Sequence, residues 1–253
     1  MATAKKLNQA KLKFVILLPP SEGKADGGKA RTKWKSTTGE FGKQLSGARD
    51  ELIGALKKAD GGNAAMLGVK GALLDRAKNA NENLVGSPTL PAFERYTGVV
   101  WEHLSLESMT SAQRSKALKH IVVLSGLLGA VGGADPTPDY RLKMGARILP
   151  MGTLSRWWRE PLSVALNQRF GDYIVVDLLP QEHRAAFEPD LDLLGEYLRV
   201  EINEKSGKAG GHDAKAAKGR LARHILDSCA TGATPRNALR SFRDRRFRVS
   251  LET

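Results

Sequence analysis

This chain has a single cysteine and no long apolar run, and each of these facts excludes several classes of protein. Cys229 is the only cysteine among 253 residues, so an internal disulfide, an intramolecular disulfide redox sensor and a cysteine-rich zinc site are excluded. No run of about 18 apolar residues occurs, and the apolar segment before Pro19 is too short for a membrane span or a signal peptide. We therefore expect a cytoplasmic protein that makes no membrane contact.

Familiar catalytic and metal-binding signatures are missing as well. The five histidines show no metal-ligand spacing, and neither a Walker loop nor a G-x-S-x-G nucleophile elbow occurs. The sequence therefore predicts no bound metal and no cofactor.

Lysine and arginine, in contrast, are abundant and concentrated at the two ends of the chain. There are 40 of them against 27 acidic residues, which gives a net charge of +13. Residues 1–35 hold nine basic and two acidic residues and residues 205–253 hold twelve and four, so the middle of the chain carries −2. If both ends lie on one face of the fold, that face attracts polyanions, nucleic acid first among them. An acidic protein is the alternative to nucleic acid as the partner of such a face. For residues 1–11 a flexible basic tail without a binding role is the alternative interpretation.

Short apolar runs alternate with helical patterns, which predicts a mixed α/β fold in a single domain over residues 1–253. Strands are predicted over 12–18, 120–124, 173–178, 197–203 and 247–251. Helices are predicted over 44–59, 63–84, 92–106, 111–119, 154–170 and 213–230, the last with Asp213 as a candidate N-cap. We expect a mixed sheet flanked by helices, with the ligand crevice beyond the carboxyl ends of its strands.

Two of the turns that follow predicted strands carry polar or glycine residues. The first, Pro20-Ser21-Glu22-Gly23-Lys24, places a hydroxyl, a carboxylate and an ammonium group in one loop. The second contains Ser125 and Gly126. Each is interpreted either as part of a ligand site or as an ordinary tight turn.

A proline-bounded loop, residues 136–145, presents Tyr140, Arg141 and Lys143. An arginine offers paired donors to a phosphate and a tyrosine offers a stacking face to a base. This loop is therefore a candidate clamp for a nucleotide unit.

The segment around Gly68, Lys70 and Gly71 lies between two helical patterns, as in the hairpin of a helix-hairpin-helix unit. In such a hairpin, free backbone amides at a helix start bind a phosphate. An ordinary helix kink is the alternative, because Lys70 occupies the position of the usual second glycine. The helix predicted over 213–230 adds Lys215, Lys218, Arg220 and Arg223, and its interior Gly219 suggests a close backbone or ligand approach.

Five motifs in this order resemble the YaaA peroxide stress family, in its variant whose first strand ends in P-P-S-E-G-K. They are LLPPSEGK at 17–24, RYTGVV at 95–100, LSGLLG at 124–129, YRLKMG at 140–145 and AKAAKGRLAR at 214–223. Together with the segments between them they span nearly all of residues 12–250. The resemblance implies a mixed α/β domain with a helix-hairpin-helix element and a positively charged cleft.

The same resemblance implies a function: family members are associated with DNA binding and with limiting oxidative damage, partly by lowering free iron. The positions that match the family pattern are Lys24, Tyr96, Ser125, Gly126, Tyr140, Arg141, Lys215 and Arg223. The chain departs from that pattern at Lys143, where the family usually has an acid, and at Ala216 and Lys218, where it has lysine and arginine.

Two functional hypotheses follow from these residues. In the first, the chain binds DNA without reading its sequence. Its contacts would be Lys24, Gly68, Lys70, Gly71, Ser125, Gly126, Tyr140, Arg141, Lys143, Lys215, Lys218, Arg220 and Arg223. In the second, it is an enzyme acting on a nucleobase, a nucleotide or a DNA lesion, with a nucleotide-like ligand in a pocket at the strand ends. Its catalytic residues would be Lys24, Ser21, Glu22, Tyr96 and Tyr140.

Overall fold

The computed structural model describes residues 13–207 and 211–252 of the chain. Its strands are β1 (Phe14–Leu18), β2 (Lys29–Lys33), β3 (Pro88–Pro91), β4 (Ile121–Ser125), β5 (Gly129–Gly132), β6 (Pro136–Thr137), β7 (Arg147–Ile148), β8 (Gly152–Thr153), β9 (Ile174–Asp177), β10 (Glu196–Glu204) and β11 (Phe247–Glu252). Its α-helices are α1 (Gly42–Lys58), α2 (Ala64–Leu67), α3 (Ala72–Glu82), α4 (Ala92–Arg95), α5 (Val99–Leu104), α6 (Ser111–Ala117), α7 (Leu154–Trp157), α8 (Arg159–Phe170), α9 (Gln181–Arg184), α10 (Gly211–Ala230) and α11 (Pro235–Ser241). The basic tail expected over residues 1–11 lies outside the described residues.

A six-stranded mixed sheet forms the centre of the molecule, in the order β11-β10-β9-β1-β4-β5. β1 is parallel to both of its neighbours, β10 is parallel to β9, and the two edge strands are antiparallel. All five residues of β1 are buried, as expected for a parallel strand covered on both faces. The carboxyl ends of β1, β4 and β9 therefore lie at one edge of the sheet.

These observations confirm the mixed α/β fold, and most of the predicted elements are present. The five predicted strands correspond to β1, β4, β9, β10 and β11, although the predicted start at Leu12 lies outside the described residues. The other six strands were not predicted. β6, β7 and β8 have two residues each and carry no periodic signal. β2, β3 and β5, with the sequences KARTK, PTLP and GAVG, contain no run of large apolar residues. The helix α11 was also missed, although Thr234 caps it through the Asn237 amide.

Three predicted helices are each divided in two, and the prediction of continuous helices there was wrong. Residues 154–170 form α7 and α8, on either side of Trp158. Residues 63–84 form α2 and α3, separated by a turn in which Gly68 and Gly71 have φ values of 65° and 57°. Residues 92–106 form α4 and α5 because Tyr96 is extended and pairs with Lys24 as an isolated bridge. The last two interruptions lie beside the polar turn that follows β1.

Helix α10 begins at Gly211, so Asp213 lies in its first turn rather than at the N-cap position. It packs across α5, where a Cβ on Gly219 would lie 2.3 Å from the Val100 carbonyl oxygen. The interior glycine therefore serves a close helix crossing.

Candidate functional site

The turn after β1 is held in a fixed shape by its own hydrogen bonds. The Ser21 hydroxyl donates to the Gly23 carbonyl (2.5 Å), and the Lys24 ammonium donates to the Ser21 carbonyl (2.9 Å). Gly98, at the start of α5, leaves room for Ser21, since a Cβ there would lie 2.5 Å from the Ser21 Oγ. Sequence analysis placed Ser21 among catalytic candidates, and the structure buries it beneath α5.

Arg95 fixes the far side of the same turn. Its guanidinium is fully buried and donates to the carbonyls of Ala25, Gly27 (2.9 Å) and Thr137 (3.2 Å). Burial lowers the pKa of this arginine, although it stays charged near neutral pH. The sequence shows Arg95 only as part of the RYTGVV motif, and its role as a support depends on long-range contacts that the sequence does not reveal.

Lys24 is the residue of the site whose chemistry is most altered by its surroundings. Its Nζ lies 4.1 Å from the centroid of the Tyr140 ring and 5.7 Å from that of Tyr96. Loss of contact with water lowers the pKa of Lys24 to about 7, against the opposing effect of Asp139. A substantial fraction of this amine is therefore uncharged at neutral pH, the state in which a lysine acts as a nucleophile or a base.

A chain of three buried hydroxyl groups lies next to Lys24. The Ser125 Oγ is 2.7 Å from the Tyr140 hydroxyl, which is 2.8 Å from the Tyr96 hydroxyl. Ser125 also accepts hydrogen bonds from the amides of Leu127 (3.3 Å) and Leu128 (3.1 Å). Since a hydroxyl oxygen has two lone pairs, Ser125 donates its proton to Tyr140, and either phenol can be the donor in the bond between Tyr140 and Tyr96.

Burial keeps both phenols of this chain protonated. It raises the pKa of Tyr140 to about 12 and raises that of Tyr96 well above its ordinary value. Neither phenol is therefore a base near neutral pH. The hydroxyl chain holds the Tyr140 ring in place under Lys24.

Pairs of oppositely charged side chains surround the opening of this site. Glu22 accepts from Arg141 (2.9 Å) and lies 3.3 Å from the Lys143 ammonium. Partial burial acts to raise the pKa of Glu22, but Lys143 and Arg141 outweigh it and the pKa is lowered. Arg76 on α3 pairs with Asp139 (3.0 Å) and with Asp26.

A pocket of about 140 Å³ opens between the turn after β1, the loop around Tyr140 and helix α3. It is lined by Glu22, Gly23, Lys24, Leu73, Arg76, Ala77, Ala80, Asp139, Tyr140 and Arg141. Sequence analysis named Lys24, Glu22, Tyr140 and Arg141 among these but missed Arg76 and Asp139. Residues 73, 76, 77 and 80 have the spacing of one helix face, which is the signal that would have identified Arg76.

The turn between α2 and α3, residues 68–71, lies at the rim of the same pocket and is called the hairpin below. Arg141 donates from Nε to the Leu67 carbonyl (3.0 Å). The Lys143 ammonium lies against Gly68, where a Cβ would come within 2.8 Å of it. Lys70 and Gly71 are exposed on this turn, so the hairpin and the basic side chains Arg141 and Lys143 form one continuous surface.

Ser125 and Gly126 are both buried below this surface. A Cβ on Gly126 would lie 2.6 Å from the Lys143 carbonyl carbon, and the Trp158 indole donates to the Gly126 carbonyl (2.9 Å). This glycine therefore allows the loop that bears Lys143 to pack directly on the end of β4.

The basic residues of α10 are not joined to this pocket by any hydrogen bond or ion pair within residues 13–207 and 211–252. Lys218 turns inward and donates to the Leu178 carbonyl, and burial lowers its pKa to about 8. Arg220 pairs with Asp244 (2.6 Å), and Arg223 pairs with Asp227 (2.8 Å). Lys215 remains exposed.

A second buried polar cluster lies at the end of β9 and was not predicted. Asp177 is fully buried and accepts from Arg184 (2.6 Å), the Tyr197 hydroxyl (2.6 Å) and the Leu179 amide (2.7 Å). Nearby, burial and the Lys218 charge lower the pKa of His183 to about 4, so this imidazole is neutral. The satisfied bonds of Asp177 indicate a structural role in joining β9 to β10.

Neither a metal centre nor a membrane helix is found in the part of the chain that the structure describes. No group of three or more His, Cys, Asp or Glu side chains there is arranged to hold a metal ion. None of the helices there is both long and apolar enough to cross a bilayer.

Comparison with known proteins identifies the family. Residues 14–252 match the family described as peroxide stress protein YaaA. A UPF0246 protein of Streptomyces coelicolor is 31% identical over 94% of this chain and 93% of its own length. A UPF0246 protein of Corynebacterium efficiens is 31% identical over 85% of this chain and 86% of its own length. The chain belongs to the YaaA peroxide stress protein family.

Proposed function

We propose that this chain is a DNA-binding protein of the peroxide stress response that holds the sugar-phosphate backbone at the hairpin and the basic rim beside it. The observation that carries the proposal is the contact between the hairpin and the Lys143 ammonium, which is close enough to exclude a Cβ at Gly68. Main-chain amides and side-chain cations are thereby presented on one surface, which is the combination that binds phosphate.

The hairpin supports this role in the manner of a helix-hairpin-helix unit. Helix α3 starts at Ala72 after Gly71, whose φ of 57° is reached easily only by glycine, and no side chain caps the start of this helix. The Gly71 carbonyl accepts from the Leu74 and Asp75 amides, one turn further on. The amides that begin α3 thus face outward, where a phosphate oxygen is a suitable acceptor.

Sequence-independent binding fits these groups. Lys70, Lys143 and Arg141 are donors to phosphate, and they add to a net charge of +13. Cations that neutralise phosphates release counterions, so the affinity falls steeply as salt is added. Arg141 and Lys143 pair with Glu22 in this structure and would exchange its carboxylate for a phosphate oxygen. The exposed Lys215 and the paired Lys218, Arg220 and Arg223 of α10 contribute to the positive field.

The test is the affinity for a fluorescently labelled duplex, measured by anisotropy over a series of salt concentrations. The double variant Lys70→Ala/Lys143→Ala should lower the slope of log K against log salt by about 2, one for each lost phosphate contact. The matched control is Lys116→Ala/Lys119→Ala, which removes two exposed lysines before β4 at the opposite edge of the sheet. Equal effects of the two double variants would mean that only net charge matters and would contradict the proposed surface.

A second candidate function is catalysis on a nucleobase, a nucleotide or a DNA lesion in the pocket. The observation that favours it is the Lys24 amine, which has a pKa of about 7 and lines the pocket beside Glu22 and Tyr140. A protein that only binds phosphate gains nothing from an uncharged lysine. Pockets with shifted pKa values and several polar groups are candidate active sites.

Lys24→Ala separates the two candidates. If the pocket is catalytic, this variant should lose product formation on lesion-containing DNA in a denaturing gel while its anisotropy with intact duplex stays unchanged. If no product forms with the unmodified protein and Lys24→Ala weakens duplex binding, the catalytic candidate fails and Lys24 is a binding residue.

A further inference from the structure

We propose that the pocket accepts the open-chain aldehyde of a phosphorylated sugar and that Lys24 binds this aldehyde covalently, as an imine. The proposal rests on the catalytic candidate above and names its substrate class. It stands on the direction of the Lys24 lone pair, the size of the pocket and the arginines that line it.

The surroundings of Lys24 direct its lone pair towards the pocket. An uncharged amine has two hydrogens and one lone pair. One hydrogen is bonded to the Ser21 carbonyl at 2.9 Å. The electron-rich face of Tyr140, 4.1 Å from Nζ, attracts the second hydrogen and repels a lone pair. The remaining direction leads to the pocket that Lys24 lines.

The pocket is the size of a single small ring. Its volume of about 140 Å³ is close to that of a protein cavity of about 150 Å³ that takes up benzene. A sugar unit therefore fits inside.

Two arginines at the pocket provide the donors that a sugar phosphate requires. Arg76 bonds to Asp26 and Asp139 through Nη2 alone. Its Nε and Nη1 make no hydrogen bond within the described residues, so three of its five N–H groups remain for a ligand. Arg141 donates one N–H from Nε to the Leu67 carbonyl and one each from Nη1 and Nη2 to Glu22. Two of its five N–H groups therefore remain for a ligand. The paired N–H donors of a planar guanidinium group match the spacing of two phosphate oxygens.

The chemical step balances without any further reactant. The Lys24 nitrogen attacks the aldehyde carbon, the carbon–oxygen π bond opens, and a proton passes from nitrogen to oxygen to give a carbinolamine. The hydroxyl group then leaves as water with the second amine proton as the carbon–nitrogen double bond forms. An amine of pKa near 7 is available for this attack at neutral pH, whereas an exposed lysine with a pKa near 10.4 is almost entirely protonated.

Two kinds of compound contain an open-chain aldehyde on a phosphorylated sugar. One is the ring-opened sugar at an abasic site in DNA, and the other is a free aldose phosphate. The experiment treats the full-length protein with sodium cyanoborohydride and either a duplex that contains one abasic site or 2-deoxyribose 5-phosphate. Reduction turns the imine into a stable secondary amine, and peptide mapping by mass spectrometry locates it. We expect an adduct on the peptide that contains Lys24 with at least one of the two probes.

The result that overturns the proposal is either no adduct with both probes or adducts spread over exposed lysines. Lys24→Met should abolish trapping, while Lys119→Met, which alters an exposed lysine at the opposite edge of the sheet, should leave it unchanged. If Lys24→Met does not fold, the adduct position in the unmodified protein still decides.

The same samples separate this inference from the proposed DNA binding. Binding of intact duplex without any trapped adduct removes the imine and retains the DNA-binding proposal. Trapping of 2-deoxyribose 5-phosphate by a protein that binds no duplex retains the imine and removes DNA binding. Trapping only at the abasic site supports both and identifies DNA as the source of the aldehyde.

Discussion

Lys24 lies between two tyrosine rings and a main-chain carbonyl, and this position affects the stability of the protein as well as its chemistry. Its pKa is about 7 in the folded chain against 10.5 for an ordinary lysine. Between these two pH values the unfolded chain binds a proton at Lys24 that the folded chain has released. The free energy of unfolding therefore rises with pH in this window.

We predict that the difference in unfolding free energy between the unmodified protein and Lys24→Met increases from pH 7 to pH 10. One pKa unit corresponds to about 1.4 kcal/mol, so the increase is on the order of a few kcal/mol. Comparison with the variant removes the contribution of groups that titrate in both proteins, Lys218 among them. Urea unfolding at a series of pH values measures this difference in unfolding free energy. Parallel curves of unfolding free energy against pH for the two proteins would show that the Lys24 amine remains in contact with water.

At the scale of elements, the crossing of α10 over α5 supports the site. Gly219 allows the α10 backbone to touch the Val100 carbonyl. Gly98, two residues before Val100 and at the N-cap of α5, leaves room for Ser21. Helix α5 therefore lies between α10 and the turn that carries Lys24, with a glycine at each contact.

We predict that Gly219→Ala destabilises the protein, although alanine is the better helix former. The added methyl group would lie 2.3 Å from a main-chain oxygen, and such overpacking costs about 1–3 kcal/mol. Gly47→Ala is the matched control, because Gly47 lies within α1 and a Cβ there meets nothing within 4 Å. The control should gain up to about 1 kcal/mol. Thermal unfolding compares the two, and stabilisation by both variants would mean that α10 can move away from α5.

At the scale of the whole molecule, the sheet was predictable and the site was predictable only in part. Continuous apolar runs such as β1 and β4 depend on local composition, so the sequence alone indicates them. The hydroxyl chain joins Ser125, Tyr140 and Tyr96, which lie far apart along the chain, and no local pattern predicts such contacts. The pKa of Lys24 has the same origin, since both aromatic rings that surround it come from other segments.

Charge was the property that the sequence described least well. Net charge counts every arginine, but several of those near the C-terminus are bonded to acidic residues. Arg220 pairs with Asp244, and Arg246 pairs with Asp213 and Glu204. The groups that we propose for phosphate lie instead at the hairpin and the rim beside it, in the middle region that carries a net charge of −2. Ligand binding therefore depends on the local arrangement of hydrogen-bond donors and not on the average charge of a segment.

The position of β1 in the sheet has a consequence for the synthesis of the protein. β1 is synthesised before β4 and β9, yet Ile16 pairs with Ile121 and Val15 pairs with Val175. At about 5–20 residues per second, many seconds pass before both neighbours exist. During that interval the apolar segment FVILL has no partner strand and is open to aggregation. The turn bearing Lys24 also takes its final shape only late in synthesis, because Tyr140 and Arg141, which contact it, follow β4 in the chain.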